Sequence, residues 1–315
     1  FAKTPLLTMV WPTVESYHPD SYPLEVLSEY LTEGKSAPMN QVLIDELKLT
    51  SSTSMFNYVS ELAGQTQISV RAFKDKNLAE IKTGIEKGFA KFEKEGISEK
   101  SLKRIRAGQE TSFYRSLSSV LGKGTGLASY NTYTGDPGFV TEDIKRTLAV
   151  TTADVMRVYN KYIKNKNYIA TCFVPRGSAD LILENAVLAN VVEEKIITGA
   201  EEKFDPKIAA TYTKTPSSFD RSIEPTSGET PSLAVPKVYE STLENGLKIF
   251  GIENNEVPLV RFNLSIDGGQ LLESMDKLGV ANLTAILLNK GTKNKTTQEL
   301  EEAIQDLGAS IFSYS

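Results

Sequence analysis

A chain of 315 residues with 40% hydrophobic and 24% charged residues has an ordinary globular composition, long enough for two domains and unlike fibrous or disordered sequences. Its net charge of -5, with both signs interspersed, offers no basic stripe for neutralising phosphates, so nucleic acid is excluded as an expected partner. No apolar run approaches the roughly 18 residues of a membrane-spanning helix, so no membrane partner is expected, and one Cys cannot close an internal disulfide.

In chain order, Leu24, Leu27, Tyr30 and Leu31 recur at helical spacing, as do Met39, Val42 and Leu43. His18, ahead of the first of these helices in Tyr17-His18-Pro19-Asp20, reads as a solvated loop residue. Short apolar alternations over Ser54 to Leu62 and Gln67 to Phe73 suit paired strands turning at Gly64. The stripe Leu78, Ile81, Ile85, Phe89 and Phe92 predicts a long helix that stops at Gly96, with Ser98 capping the next, whose inner face holds Leu102 and Ile105. Gly122, Gly124 and Gly126 lack the first Gly and the terminal Lys-Ser/Thr of a phosphate-binding loop and read as a turn between helices.

Thr151 with Asp154 forms a capping box before Val155, Val158, Tyr159 and Tyr162, and Tyr168 to Val174 returns as a buried strand holding Cys172 as a small core residue. Residues 181 to about 198 look helical. From Thr211 to Pro236 the Ser, Thr and Pro content, with Pro216, Pro225, Pro231 and Pro236, predicts an extended, semi-rigid linker. Val238 to Leu243 and Leu247 to Ile252 flank Glu244-Asn245-Gly246 as a hairpin. Leu259 to Ile266 alternates like a strand, two helices follow at about 277 to 289 and 297 to 307, and a final strand is expected. Glu299, Glu301 and Glu302 read as a solvated face. Strands and helices do not alternate as βαβ units, so the fold class is α+β.

The stretch Gly279 to Thr292 resembles the zinc-site helix of M16 (pitrilysin/insulinase-like) metallopeptidases, whose inverted motif H-x-x-E-H sits in a frame close to G-x-A-H-x-x-E-H-x-x-x-K-G-T. The frame is kept at Gly279, Ala281, Lys290, Gly291 and Thr292, followed by Leu307, Gly308, Ala309, Ser310 and Tyr314. Asn282 and Ile286 stand where the two zinc-binding His would be, and Ala285 where the general-base Glu would be. Ile and Ala have no lone pair for zinc and no group to take a proton. The chain has one His in all, which excludes a two-His site by counting.

Leu243, Asn245, Gly246, Leu247, Pro258 and Val260, with Gly268, Gly269 and Glu273, resemble the opening of such a zinc-type domain. Tyr17 to Arg176 resembles the second domain of an M16 half, most clearly at Gly96 to Leu102 and Val150 to Val155, with Leu6 to Pro12 similar to its first strand. That domain often carries an Arg/Tyr pair in a pattern like L-R-x-x-x-G-L-x-Y. Here Leu43 and Leu49 keep the two Leu, while Ile44 and Ser51 replace the Arg and the Tyr.

The resemblance implies M16 (LuxS/metallohydrolase-like) domains with an antiparallel-rich sheet covered by helices on one face. It divides the chain into a second-type domain (1–185), a helical tail and linker (186–236), and an incomplete, degenerate zinc-type domain (237–315). No catalytic, metal or cofactor residue is expected within it; zinc would be bound elsewhere in a parent metalloendopeptidase that closes two halves around peptides. Its partners would be the rest of the parent chain and peptide substrates, and the unpaired sheet edge of the incomplete domain invites self-association. Phe1 and Ser315 read as the ends of an internal fragment, and a periplasmic compartment is suggested by the resemblance alone. The alternative expectation is a non-peptidase relative that serves as a structural or assembly subunit. A free-standing peptide-binding module would need Phe1 and Ser315 to be true termini.

Overall fold

Leu7, Met9 and Trp11 alternate with Leu6, Thr8 and Val10, so one face of the first strand is apolar throughout, and that face is buried. The strand, β1 (Leu6–Thr13), lies in a four-stranded antiparallel sheet with β2 (Thr50–Val59), β3 (Gly64–Ala72) and β4 (Ile169–Phe173), in the order β2-β3-β1-β4. Register brings Leu7 beside Val70 and Cys172, and Met9 beside Ile68 and Ala170. This computed structural model describes residues 3–192, 218–220, 222–224, 226, 228, 232 and 235–315.

Helices cover the buried face of the sheet: α1 (Ser21–Thr32), α2 (Pro38–Asn40, running into a π-helical turn at Gln41–Glu46), α3 (Leu78–Glu95) and α7 (Thr152–Tyr162). Leu24, Leu27 and Leu31 of α1, Ile81, Ile85 and Phe92 of α3, and Val155 and Val158 of α7 meet the sheet in one core. Asn77 caps α3 by accepting from Ala79 N, Gly96 ends it with φ 67°, and Ser98 caps α4 (Glu99–Ser116) by accepting from Ser101 N. Thr151 and Asp154 close the expected capping box on α7. Two glycines make α3 fit so closely: a Cβ on Gly84 would lie 2.4 Å from Leu43 Cδ2, and one on Gly88 2.3 Å from Met39 Sδ. The fold is α+β with an antiparallel sheet, as the resemblance implies.

Several local expectations are corrected. Gly122, Gly124 and Gly126 lie inside α5 (Val120–Thr134), where Ser119 accepts from Gly122 N and Gly135 closes the other end in the left-handed conformation; good caps offset poor interior propensity. The β2–β3 turn occupies Ser60 to Ala63, and Gly64 already belongs to β3, where a Cβ would meet Val14 O at 2.1 Å. Strand β4 is an edge strand and mostly exposed, so Cys172 leans half-buried on the core instead of sitting within it.

After a 3-10 turn at Ala179–Leu181, residues 182–192 form no helix; the rest of that expected helix and most of the Ser/Thr/Pro stretch lie outside the described residues. Leu259 to Ile266 and 309 to 315 are not strands, since no neighbouring strand among the described residues offers them a ladder. Phe262 is accordingly 91% exposed.

The remaining helices are α6 (Val140–Ala149), α8 (Val280–Leu287) and α9 (Thr297–Gln305). Residues 1–186 and 255–315 form one compact unit and 187–254 a second. In the second, β5 (Val238–Thr242) and β6 (Lys248–Ile252) make the expected hairpin, with Gly246 at φ 85°.

Candidate functional site

Helix α8 begins after Gly279, whose φ of 98° suits glycine, and its first turn is held by a carboxylate: Glu273 accepts from Gly279 N at 2.7 Å and also from Ala281 N. Asn282 and Ile286 are four residues apart, so they share one helix face, the face a His pair would need. Both are exposed. Ala285 is buried and its carbonyl accepts from Ser313 Oγ. An amide, a methyl and a sec-butyl group do not fit a zinc ion and its activated water.

Ile44, on the π-helical turn, and Ser51, on β2, do come together: both line a cavity of about 590 Å³ whose far side is built by Asn289, Lys290 and α9. Asn282, Ala285 and Ile286 do not line it. No residue there offers the cation or phenol of the family's Arg/Tyr pattern at the two matching positions.

Helix α9 docks on α4 through charge. Glu302 lies 3.5 Å from Lys100 Nζ and 3.4 Å from Arg104 Nη1, Asp306 lies 3.9 Å from Arg104 Nε, and Glu301 accepts from Lys35 N at 3.3 Å. Arg104 is only 10% exposed, and its Nη1 has no hydrogen-bonding geometry to any acceptor among the described residues. The acidic row expected to be solvated is therefore partly an intramolecular contact.

The larger concavity escaped the sequence reading. A groove of about 910 Å³ runs between α1, the last five residues of β2, α4 and the turn after α9. Its wall on α1 carries Glu25 and Glu29, four residues apart and opposite the Leu24, Leu27 and Leu31 stripe, with Glu33 one step further. At one end Asp143 of α6 accepts from Tyr22 Oη at 2.8 Å and Tyr130 Oη at 2.7 Å, beside a ring cluster of Tyr17, Tyr130, Tyr133 and Phe139. Tyr17 takes φ 61° to enter it.

Burial, then the charge of Glu25, raises the Glu29 carboxyl to about 7, against a weaker opposing hydrogen bond from Gln109. Burial and then Asp143 raise Glu25. The groove walls enclose Glu25 while water still reaches it through the mouth, so the direction of its shift holds and solvent screens its size. Burial and the bond to Asp143 push the Tyr22 and Tyr130 phenols upward, so both stay protonated donors. An i, i+4 glutamate row normally marks a solvated helix face, and only the fold turns it toward β2.

Two family models match the chain: the Peptidase M16 inactive domain over residues 2–109, and Insulinase (Peptidase family M16) over residues 249–315. Cytochrome b-c1 complex subunit 1 of Bos taurus is 33% identical over 82 residues, 26% of this chain and 17% of that protein. Mitochondrial-processing peptidase subunit beta of Rattus norvegicus is 32% identical over 83 residues, again 26% and 17%. The chain spans about one sixth of the length of the curated relatives it matches.

Among solved structures, a protease from Helicobacter pylori superposes with a TM-score of 0.50 at 21% identity, covering 55% of this chain and 42% of that one. An inactive peptidase domain from Bordetella parapertussis gives a TM-score of 0.50 at 17% identity, covering 56% of this chain and 94% of that one. At these identities the structures speak for the fold. With both M16 family models in place, an M16-type sheet and helices beneath the first, and a zinc-helix frame beneath the second, the chain belongs to the M16 peptidase family.

Proposed function

We propose that this chain is the non-catalytic central portion of a zinc-dependent metalloendopeptidase that encloses peptides between two halves. The observation that carries this reading is the M16 helix frame from Gly279 to Thr292 with Asn282, Ala285 and Ile286 at the ligand and base positions. The order of the family matches supports it: an inactive-domain match comes first and a zinc-type match second, the order found where one half ends and the next begins. In the parent, zinc would act as Lewis acid and lower the pKa of the attacking water, outside this chain. These residues would supply chamber wall, linker and peptide contacts.

A second reading, a non-peptidase structural subunit, is favoured by the likeness to cytochrome b-c1 complex subunit 1. Metal analysis of the purified chain after chelation and zinc readdition tests the degenerate-site assignment. Less than a tenth of an equivalent of tight zinc is the expected result, and one equivalent per chain would overturn it. Chelator-sensitive peptide hydrolysis by the full-length parent separates the two readings, since a structural subunit would have none.

A further inference from the structure

We propose that α5 is a gate at one end of the larger groove, clasped shut through Tyr130 and opened by local loss of its helix instead of by a rigid swing. The closed state is the one seen here, and the open state uncovers the groove beside Tyr22.

Helix α5 is held at one end. Tyr130 is its one buried residue. The Tyr130 hydroxyl donates to Asp143 Oδ2 at 2.7 Å, while the other oxygen of that carboxylate accepts from Tyr22. Its ring centroid lies 5.4 Å from that of Tyr17 and 5.9 Å from that of Phe139. Ser129 and Tyr133, four residues apart on one face of α5, line the groove, and the Tyr133 ring meets Tyr17 at 6.3 Å. Engaging Tyr130 therefore sets α5 as the wall at that end.

The other half of the helix is nearly bare. Val120 and Leu121 are 87% and 80% exposed, and none of residues 120–129 is buried. Among the described residues, their one side-chain tie to another segment is the ion pair of Lys123 with Glu256, which lies open to water and to screening by salt. Short connectors bind α5 at both ends, Leu117 to Ser119 before it and Gly135 with Asp136 after it, so it cannot swing away as a rod without changing shape.

Nor can the helix outlast its clasp. Gly122, Gly124 and Gly126 fall within it, and each disfavours helix about fivefold relative to Ala. Ser119 and Gly135 cap the ends but bury nothing, and an isolated helix of this length is marginal even with good formers. Two of these glycines have no steric reason to be there: a Cβ on Gly124 would meet nothing within 4 Å, and one on Gly126 only Tyr130 Cε2 at 3.9 Å. Gly84 and Gly88 of α3 are the contrast, since packing excludes a Cβ at both. What Gly124 and Gly126 do is keep the opening free energy of this segment low.

The test is amide hydrogen exchange of the purified chain, with thiol labelling of S21C in a C172A background as the readout of the gate; Ser21 precedes Tyr22, lines the groove and is 8% exposed. The α5 amides are expected to exchange together, at least a hundredfold faster than those of β1 and β3. G124A/G126A is expected to slow both α5 exchange and S21C labelling at least tenfold, and Y130F, which removes the bond to Asp143, to speed both at least tenfold. G108A, whose Cβ is equally unobstructed but lies on α4, is expected to leave both unchanged. Unaltered β1 exchange confirms that each variant is folded.

Exchange in α5 as slow as in β1 would overturn the local opening. Exchange that Y130F speeds but G124A/G126A leaves untouched would mean detachment without unwinding, and would overturn the mechanism. Labelling of S21C that ignores every α5 variant would overturn the gate. Should Y130F fail to fold, the glycine variants, which act in the opposite direction, decide the question by themselves.

Discussion

Asp20 ties the start of α1 to α7 through three donors: Arg157 Nη1 at 2.6 Å, Lys161 Nζ at 2.8 Å and Tyr162 Oη at 2.7 Å. Burial alone would raise this carboxyl, yet the bonds from Lys161, Tyr162 and Arg157 outweigh it and hold the group far below the usual carboxylate range. The side chain is only 7% exposed, whereas its two cationic partners keep half their surface in water and can be resolvated. D20N is therefore expected to cost about 2 kcal/mol in urea unfolding. The sign with pH follows from a depressed pKa: Asp20 stabilises above its ordinary value of 3.8 and loses that contribution as pH falls below it, so the acid side of the stability profile flattens in D20N. Glu29 behaves oppositely. Its pKa rises from 4.5 to about 7, so its contribution is full below 4.5 and is lost as pH climbs to 7; E29Q is expected to remove that decline, measured as midpoint against pH. Neither role was legible in the sequence. Asp20 meets partners 137 to 142 residues away, and Glu29 gains its environment only when α1 is set beside β2.

At the scale of elements, local signals were read well where the cause is local. Gly96, Ser98 and the Thr151–Asp154 box each act within a few residues of themselves, and each is found in place. The failures had the complementary cause. Residues 182–192 carry helical spacing and Leu259 to Ile266 alternates, yet among the described residues the first forms no helix and the second has no strand beside it. Periodicity is an offer of one face, and a second face must accept it. Helix α3 shows acceptance at its tightest. G84A would gain helix propensity but drive a methyl into Leu43 Cδ2, and the clash is expected to win by about 1–3 kcal/mol, read as a lower melting temperature. The α4–α9 contact shows acceptance by charge: E302K would set a third cation against Lys100 and Arg104, and amide exchange over 299–309 is expected to speed at least tenfold while β1 stays protected.

At the scale of the molecule, family and fold class were legible because the family rests on residue identity at fixed spacing, as in the frame of Gly279, Ala281, Lys290 and Gly291, and the fold class on the order of strand and helix patterns along the chain. The groove was not legible, since its walls come from β2, five helices and the turn after α9. The sheet order carries one more consequence. Strand β1 lies between β3 and β4, with Leu7 beside Val70 on one side and Cys172 on the other. During synthesis at 5–20 residues per second, the roughly 100 residues between those partners take about 5–20 s to emerge. For that interval β1 is a bare template at the edge of a three-stranded sheet, open to any extended chain nearby. A chain cut before Ile169 is expected to remain in that state, unfolding without a sharp transition and aggregating, so the order in which the ribosome delivers the strands makes a five-residue edge strand the step that closes the fold.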